Sequence, residues 1–255
     1  MHPAGPSFVI LKQVDSTNNY AMGKVHAGMA KHGDGWYTAN QTQGKGQRGK
    51  AWLTGKGCNI ALSVVLNPKQ LNIIHPFQLS VSIALAFFDF FNGYAGSDTR
   101  IKWPNDIYWR DRKAGGVLIE NKFSGKDWNW SIVGIGVNIN QQDFDKELAN
   151  KAVSLIQITG NSFDTDLLAT ELHQSVLRRS AELLTKPYEL MVEEYNCHLY
   201  KRSEVVRLKK NNIVFETQIK GVSPQGQLLT IDSMEKSFDF GEVEWVTLPP
   251  STCGL

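Results

Sequence analysis

Three segments in the middle of the chain follow one another with only a few residues between them: TRIKWPNDIYW (99–109), KAGGVLIENKF (113–123) and DWNWSIVGIGVNIN (127–140). Each is rich in β-branched and aromatic residues and is bounded by turn-forming ones, so they read as adjacent strands. Connections this short are hairpin turns, which makes the strands antiparallel. A sheet of this kind needs a covering layer. Pro76 to Phe91 supplies one, because Pro76 suits a first helical turn and Leu79, Ile83, Ala86, Phe87 and Phe90 recur at helical spacing. Asp164 to Tyr200 reads as helical, with a break near Pro187.

The N-terminal part adds further elements. Phe8 to Leu11 reads as a short buried strand, and Asp15, Ser16 or Thr17 caps a helix that ends near Gly28. Trp36, Tyr37 and Thr38 lie in a strand after a glycine turn, and NIALSVVLN (59–67) is another strand. After about Lys201 the chain turns to short β-type runs with turn signals at NN, SPQG and SMEK. That stretch reads as a small β-barrel of about five strands. The expectation is an α+β fold: a mixed or antiparallel sheet packed with helices over 1–200, then a separate barrel domain over 201–255.

With 42% hydrophobic and 20% charged residues, the composition is ordinarily globular, and a net charge of +2 gives no bulk argument for a nucleic-acid or membrane partner. Cys58, Cys197 and Cys253 are odd in number and widely spaced, with no CxxC pair, so neither a disulfide framework nor a zinc site is expected. No signal peptide opens the sequence, and apolar runs such as Ile83 to Phe88 are too short to span a bilayer. A cytoplasmic chain is the expectation.

QTQGKGQRGKAW (41–52) carries the first functional signal. Glycine-rich backbone can turn several N–H groups onto one anion, and Lys45, Arg48 and Lys50 add charge. The run is neither a Walker A loop nor a dinucleotide-binding fingerprint. Alone, it reads as a solvated hairpin. KWPNDIYW sets Lys102 and Asp106 around Pro104, RKAGGVLIE sets Lys113 before two glycines, and GIGVNIN carries Gly134 and Gly136 where a flat ligand could approach backbone. Each has a plain reading as a turn, a surface lysine or a bulge. Their joint occurrence does not.

The order STNN, QTQGKGQRGKAW, KWPNDIYW, KAGGVLIE, GIGVNIN resembles the biotin protein ligase family, in a form without an N-terminal DNA-binding domain. The resemblance runs from about Phe8 to Asn140. It implies a class II synthetase-like biotin/lipoate ligase fold, with an SH3-like domain where the C-terminal barrel is expected. It also implies a reaction with ATP, magnesium and biotin that forms biotinyl-5′-AMP. Biotin then passes to a lysine of biotin carboxyl carrier protein, at the tip of a β-hairpin and through a small transient contact. Residues carried over for chemistry are Lys113, Arg48 and Lys45. Those facing biotin are Ser16, Thr17, Asn18, Gln41, Gly44, Lys45, Gly46, Gln47, Lys113, Gly115, Gly116, Gly134 and Gly136. Those facing the nucleotide are Arg48, Lys50, Trp52, Lys102, Asn105, Lys113 and Asn138.

Several roles stay open at this level. Trp52 anchors the loop, stacks near adenine or packs in the core. Ser16 and Thr17 have a rival role as helix caps. Asp106 binds magnesium or hydrogen-bonds within its turn, and is a poor base for an ammonium. The family's commonest loop reads GRGRRGRxW, so Gln47 stands where an arginine is frequent, and Lys45 and Lys50 replace arginines without their bidentate geometry. A lipoate or octanoate ligase is the nearest rival, but the RRxxGGGxVxHD-type segment of that group does not occur here. A repressor would need DNA-binding structure before Phe8, for which no room is expected, and LKKNN is a short basic turn. A non-catalytic binding module would not need the phosphate-sized cationic loop. The sequence leaves a homodimer open.

Overall fold

The computed structural model describes residues 5–52 and 55–246. Cys253 and the end of the expected 201–255 domain lie outside the described residues. The first sheet has seven strands in the order β1-β2-β3-β7-β6-β5-β4. They are β1 (Phe8–Ile10), β2 (Gly35–Thr38), β3 (Ile60–Leu66), β4 (Thr99–Lys102), β5 (Asp106–Trp109), β6 (Arg112–Ser124) and β7 (Asp127–Val137). Only the β1–β2 pair is parallel, so the sheet is mixed; the three central segments form four antiparallel strands, because TRIKWPNDIYW turns at 103–105 and is itself a hairpin of β4 and β5.

The two faces of this sheet are covered differently. Helices α2 (Pro76–Ala95), α4 (Thr165–Glu182) and α5 (Tyr188–Cys197) pack on one face with Leu62, Val64, Leu66, Val133, Ile135 and Val137. Phe87 and Phe91 of α2 are fully buried there, each contributing about 1.5–3 kcal/mol of apolar burial. Pro76 opens α2 and a His75–Gln78 capping box closes its start. Helix α1 (Thr17–His26) covers the other face, where Ala21 meets Trp36, Val65 and Ile132. Strand alternation therefore sends Leu62 and Val64 to the large core and Ser63 to the α1 side.

Two expectations change in detail. The strand at Phe8 is not buried: Val9 and Ile10 are 37% and 52% exposed, because β1 is an edge strand with one partner. The C-terminal run forms five strands, β8 (Val205–Lys210), β9 (Ile213–Val222), β10 (Leu228–Ile231), β11 (Glu235–Phe238) and β12 (Glu244–Trp245). Their order is β11-β10-β9-β8-β12, a sheet that is open among the described residues, so the closed barrel is not confirmed. The NN signal does make a tight hairpin: Asn211 and Asn212 both take positive φ, 50° and 64°. A short helix α3 (Leu155–Thr159), capped by Ser154 and Gln157, was not legible in the sequence. Among the described residues, no helix is long and apolar enough to cross a membrane.

Candidate active site

Strands β3, β7 and β6 bring two rows of residues, all small but Leu118, to the α1 side of the sheet. Ser63, Gly134 and Leu118 lie in register in one row, and Ala61, Gly136 and Gly116 in the next. A cavity of about 830 Å³ opens above them. Its other walls come from the 44–52 loop, from the 141–152 segment and from residues 240–245 beside the second sheet.

One end of the cavity is polar and uncharged. Ser16 proves to be the cap of α1, its Oγ accepting from Asn19 N at 3.4 Å. That leaves Thr17 to other partners: its N–H donates to Gln41 Oε1 at 2.9 Å, and its Oγ1 lies 3.2 Å from the same oxygen and 2.8 Å from Ser63 Oγ. Asn18 is 4% exposed and lies over Gly134, where a Cβ would meet its Oδ1 at 2.3 Å. Gly136 likewise accommodates the Trp52 ring, whose Cε2 sits 2.4 Å from where its Cβ would be. Asn18 and Trp52 thus pack over these two glycines, both of which also line the cavity. Trp52 anchors its loop here, and its buried indole N–H has no partner among the described residues.

The other end is cationic. Six cations line the cavity (Lys45, Arg48, Lys50, Lys102, Lys113, Lys151) against the carboxylates of Asp106, Asp145 and Glu244. Lys113 Nζ lies 2.6 Å from Asp106 Oδ2, and Gly116 gives the pair room, since a Cβ there would meet Asp106 Oδ1 at 2.7 Å and Lys113 Nζ at 2.9 Å. The Lys113 backbone is clamped on both sides: its N–H donates to Lys151 O at 2.7 Å and its carbonyl accepts from Val153 N at 2.9 Å. Lys102 Nζ sits in an aromatic cage, 4.4, 5.5 and 5.0 Å from the ring centres of Tyr108, Tyr200 and Trp245. Burial pushes its ammonium down to about 8, against the pull of Asp106 and with a push from Lys113.

The glycine-rich loop is a small closed hairpin. Gly46 N donates to Lys50 O at 2.7 Å and Trp52 N to Gly44 O at 2.8 Å, around a 3-10 turn at Gln47–Gly49. Gln47 pins the turn to the sheet, its Nε2 donating to Asn105 Oδ1 at 2.8 Å and to Val117 O at 2.9 Å. Lys45 Nζ donates to Asn19 Oδ1 at 2.5 Å, and the Arg48 guanidinium lies 4.8 Å from the Phe240 ring centre.

Most of the residues carried over from the resemblance line this one cavity. Gly44, Asn105 and Gly115 do not. Gly44 makes room for the Trp52 carbonyl, Asn105 receives Gln47, and Gly115 lets β6 approach Gly136 and Phe87. Asn138, 4% exposed, lines the cavity while its Nδ2 donates to Val153 O at 3.2 Å, and its N–H donates to Ala114 O. Two walls had no sequence signal: the 141–152 segment, and Phe240, Gly241, Glu244 and Trp245 from the C-terminal end.

A mixed sheet carrying a cationic, loop-covered cavity joined to a polar slot is the architecture of an acid-activating ligase. Residues 10–138 match the biotin/lipoate A/B protein ligase family model, and the chain belongs to that family. Among curated relatives, it is 28% identical to the bifunctional ligase/repressor BirA of Escherichia coli over 244 residues, 94% of this chain and 74% of that protein. It is 29% identical to the biotin–[acetyl-CoA-carboxylase] ligase of Paracoccus denitrificans over 226 residues, 86% of this chain and 92% of that one. Among solved structures, the biotin protein ligase from Aquifex aeolicus in complex with biotin and ATP superposes with a TM-score of 0.79 at 25% identity, covering 93% of this chain and 97% of that one.

Proposed function

We propose that the protein is an ATP-dependent biotin–[acetyl-CoA-carboxylase] ligase. One observation carries the reading: a single cavity joins an uncharged polar slot (Thr17, Asn18, Gln41) to a cationic end (Lys113, Arg48, Lys102) beneath a closed loop. Biotin has the matching shape, with a neutral urea ring at one end and a carboxylate at the other. Such pockets are largely apolar with a few placed polar groups.

In the first step a carboxylate oxygen of biotin attacks the α-phosphorus of ATP, and the bond to the β-phosphate bridging oxygen breaks. Pyrophosphate leaves and biotinyl-5′-AMP remains. Two anions must meet while charge builds on the phosphoryl oxygens, so fixed cations supply the main assistance. Lys113 bridges the carboxylate and the α-phosphate. Its clamped backbone and Asp106 partner hold the ammonium in place before substrates arrive. Arg48, Lys45, Lys50 and Lys102 receive the remaining phosphate charge, and Trp52 holds the loop against Gly136 beside them. In the second step the amine of a carrier-protein lysine attacks the carbonyl carbon, the bond to the phosphate oxygen breaks, AMP leaves, and a proton passes to solvent. Closure of the loop shields the anhydride from water between the steps.

Magnesium belongs to this reading as part of the nucleotide substrate. The residues do not fit a resident ion: Asp106 is already paired with Lys113, and no cluster of three or more metal-ligating side chains occurs among the described residues. The reading carries with it a biotin carboxyl carrier protein as partner and a cytoplasmic place of work. In this reading the catalytic domain spans 1–200 and an SH3-like module spans 201–255, with Phe240 to Trp245 closing the nucleotide side of the cavity. The test is pyrophosphate release from Mg-ATP with biotin, octanoate or lipoate as the acid. Release with biotin alone is expected. Release with lipoate or octanoate instead would overturn the substrate.

A further inference from the structure

Glu120 lies on β6 outside the cavity, yet it ends a hydrogen-bond chain that runs into it. Asn18 Nδ2 donates to Glu120 Oε2 at 2.7 Å, Asn18 Oδ1 accepts from Ser63 Oγ at 2.6 Å, and Ser63 Oγ lies 2.8 Å from Thr17 Oγ1. We infer that Glu120 is a positioning residue that fixes the hydrogen-bond polarity of the slot, so that Thr17 presents an acceptor and Gln41 a donor to a urea-like head group. The inference rests on the biotin reading of the cavity.

An ionised carboxylate only accepts hydrogen bonds, so the Asn18 group facing it must be the amide NH₂. The Asn18 carbonyl then faces Ser63 and takes the Ser63 proton. The Ser63 oxygen is left to accept from Thr17, and Gln41 Oε1 is the only other protein acceptor near Thr17 Oγ1 among the described contacts. Either way the Thr17 proton is spent inward and its lone pairs face the cavity. Gln41 Oε1 is held by the Thr17 backbone N–H, which leaves the Gln41 NH₂ to donate. A urea group has an N–H for the first and a carbonyl for the second.

Without the carboxylate, only the weaker contact of Asn18 Nδ2 to Leu118 O, at 3.4 Å, opposes reversal of the chain. If the Asn18 amide turns, its NH₂ faces Ser63, the Ser63 proton points at Thr17, and the Thr17 proton is driven into the cavity. A donor then confronts the ligand N–H. Serine and threonine hydroxyls allow this because their protons rotate freely.

The experiment is steady-state pyrophosphate release by the full chain, with KM for biotin and for ATP measured separately. Glu120→Ala should raise the biotin KM about tenfold, the loss expected for a charge-assisted hydrogen bond, with kcat and the ATP KM within about twofold of wild type. Glu120→Gln can still present an oxygen to Asn18 and should recover most of the affinity. Glu120→Lys is donor-only and should be worse than the alanine variant. The Glu120→Ala/Ser63→Ala double variant should be no weaker than the weaker of its two single variants, since both break one chain. An unchanged biotin KM in Glu120→Ala overturns the inference while leaving the ligase reading intact. Additive losses, or equal losses for biotin and ATP, would also overturn it by marking a general structural role. A wild-type protein that releases no pyrophosphate with biotin overturns the ligase reading and this inference together.

Discussion

Replacing Lys113 by methionine keeps most of the aliphatic stem and removes the charge that the adenylation step requires. The Lys113–Asp106 pair is 2.6 Å long, with side chains 33% and 27% exposed. At that exposure the pair contributes about 1 kcal/mol to folding, which for a chain of this size shifts Tm by about 2–4 °C. Catalysis is a different matter, because the same ammonium faces charge that develops only in the transition state. Loss of one such group costs about 10²–10³ in kcat, or about 2.7–4 kcal/mol. Single-turnover formation of biotinyl-5′-AMP, followed by rapid quench, reads the step directly, and a thermal melt reads the fold. The expected result is a rate at least a hundredfold lower with a melt within a few degrees of wild type. A loss below about tenfold would refute the placement of Lys113 at the reacting centre, and a large Tm drop in proportion to the rate loss would show a structural role instead.

The Lys102 ammonium, held down to about 8 by burial, is charged below that pH and loses its charge above it. The ATP KM should therefore rise as pH passes 8, and Lys102→Met should flatten that rise; an identical pH profile in the variant would contradict it. Gln47→Ala removes the bonds to Asn105 and Val117, together about 1–3 kcal/mol. Trypsin cleavage at Lys45, Arg48 or Lys50 should then quicken about fivefold or more, and unchanged cleavage would show that the loop is held elsewhere. Arg179, with a side chain 10% exposed, joins Asp89 of α2 to Glu194 of α5. Arg179→Met leaves Asp89 with Arg178 alone and Glu194 with Lys186 alone, and should cost about 1–3 kcal/mol in denaturant unfolding; a loss under about 0.5 kcal/mol would refute the network's role.

Much of the catalytic sheet was legible because its signals are local. Hairpin spacing and β-branched runs marked β4 to β7, and a 3.6-residue apolar period marked α2. Phe8 to Leu11 misled because an apolar run looks the same at an edge as in a core. The second sheet misled differently: five strands can be counted from turn signals, but barrel closure depends on whether β11 meets β12, which no local pattern records. The motif residues were found, and most share one cavity. Their partnerships were not visible. The Lys113–Asp106 pair needs the register shift between Ile107 and Tyr108, and the walls at 141–152 and 240–245 reach the site only through tertiary packing. Glycines marked close approach at 134 and 136, where Asn18 and Trp52 pack against the backbone.

The central claim is that this cavity activates biotin and delivers it to a carrier lysine. Intact-mass spectrometry of a purified biotin carboxyl carrier domain, incubated with the protein, Mg-ATP and an equimolar mixture of biotin, lipoate and octanoate, tests it most directly. The account predicts a single biotinyl adduct on one lysine, dependent on ATP and lost with Lys113→Met. An unmodified carrier, or one bearing a lipoyl or octanoyl group, would contradict it.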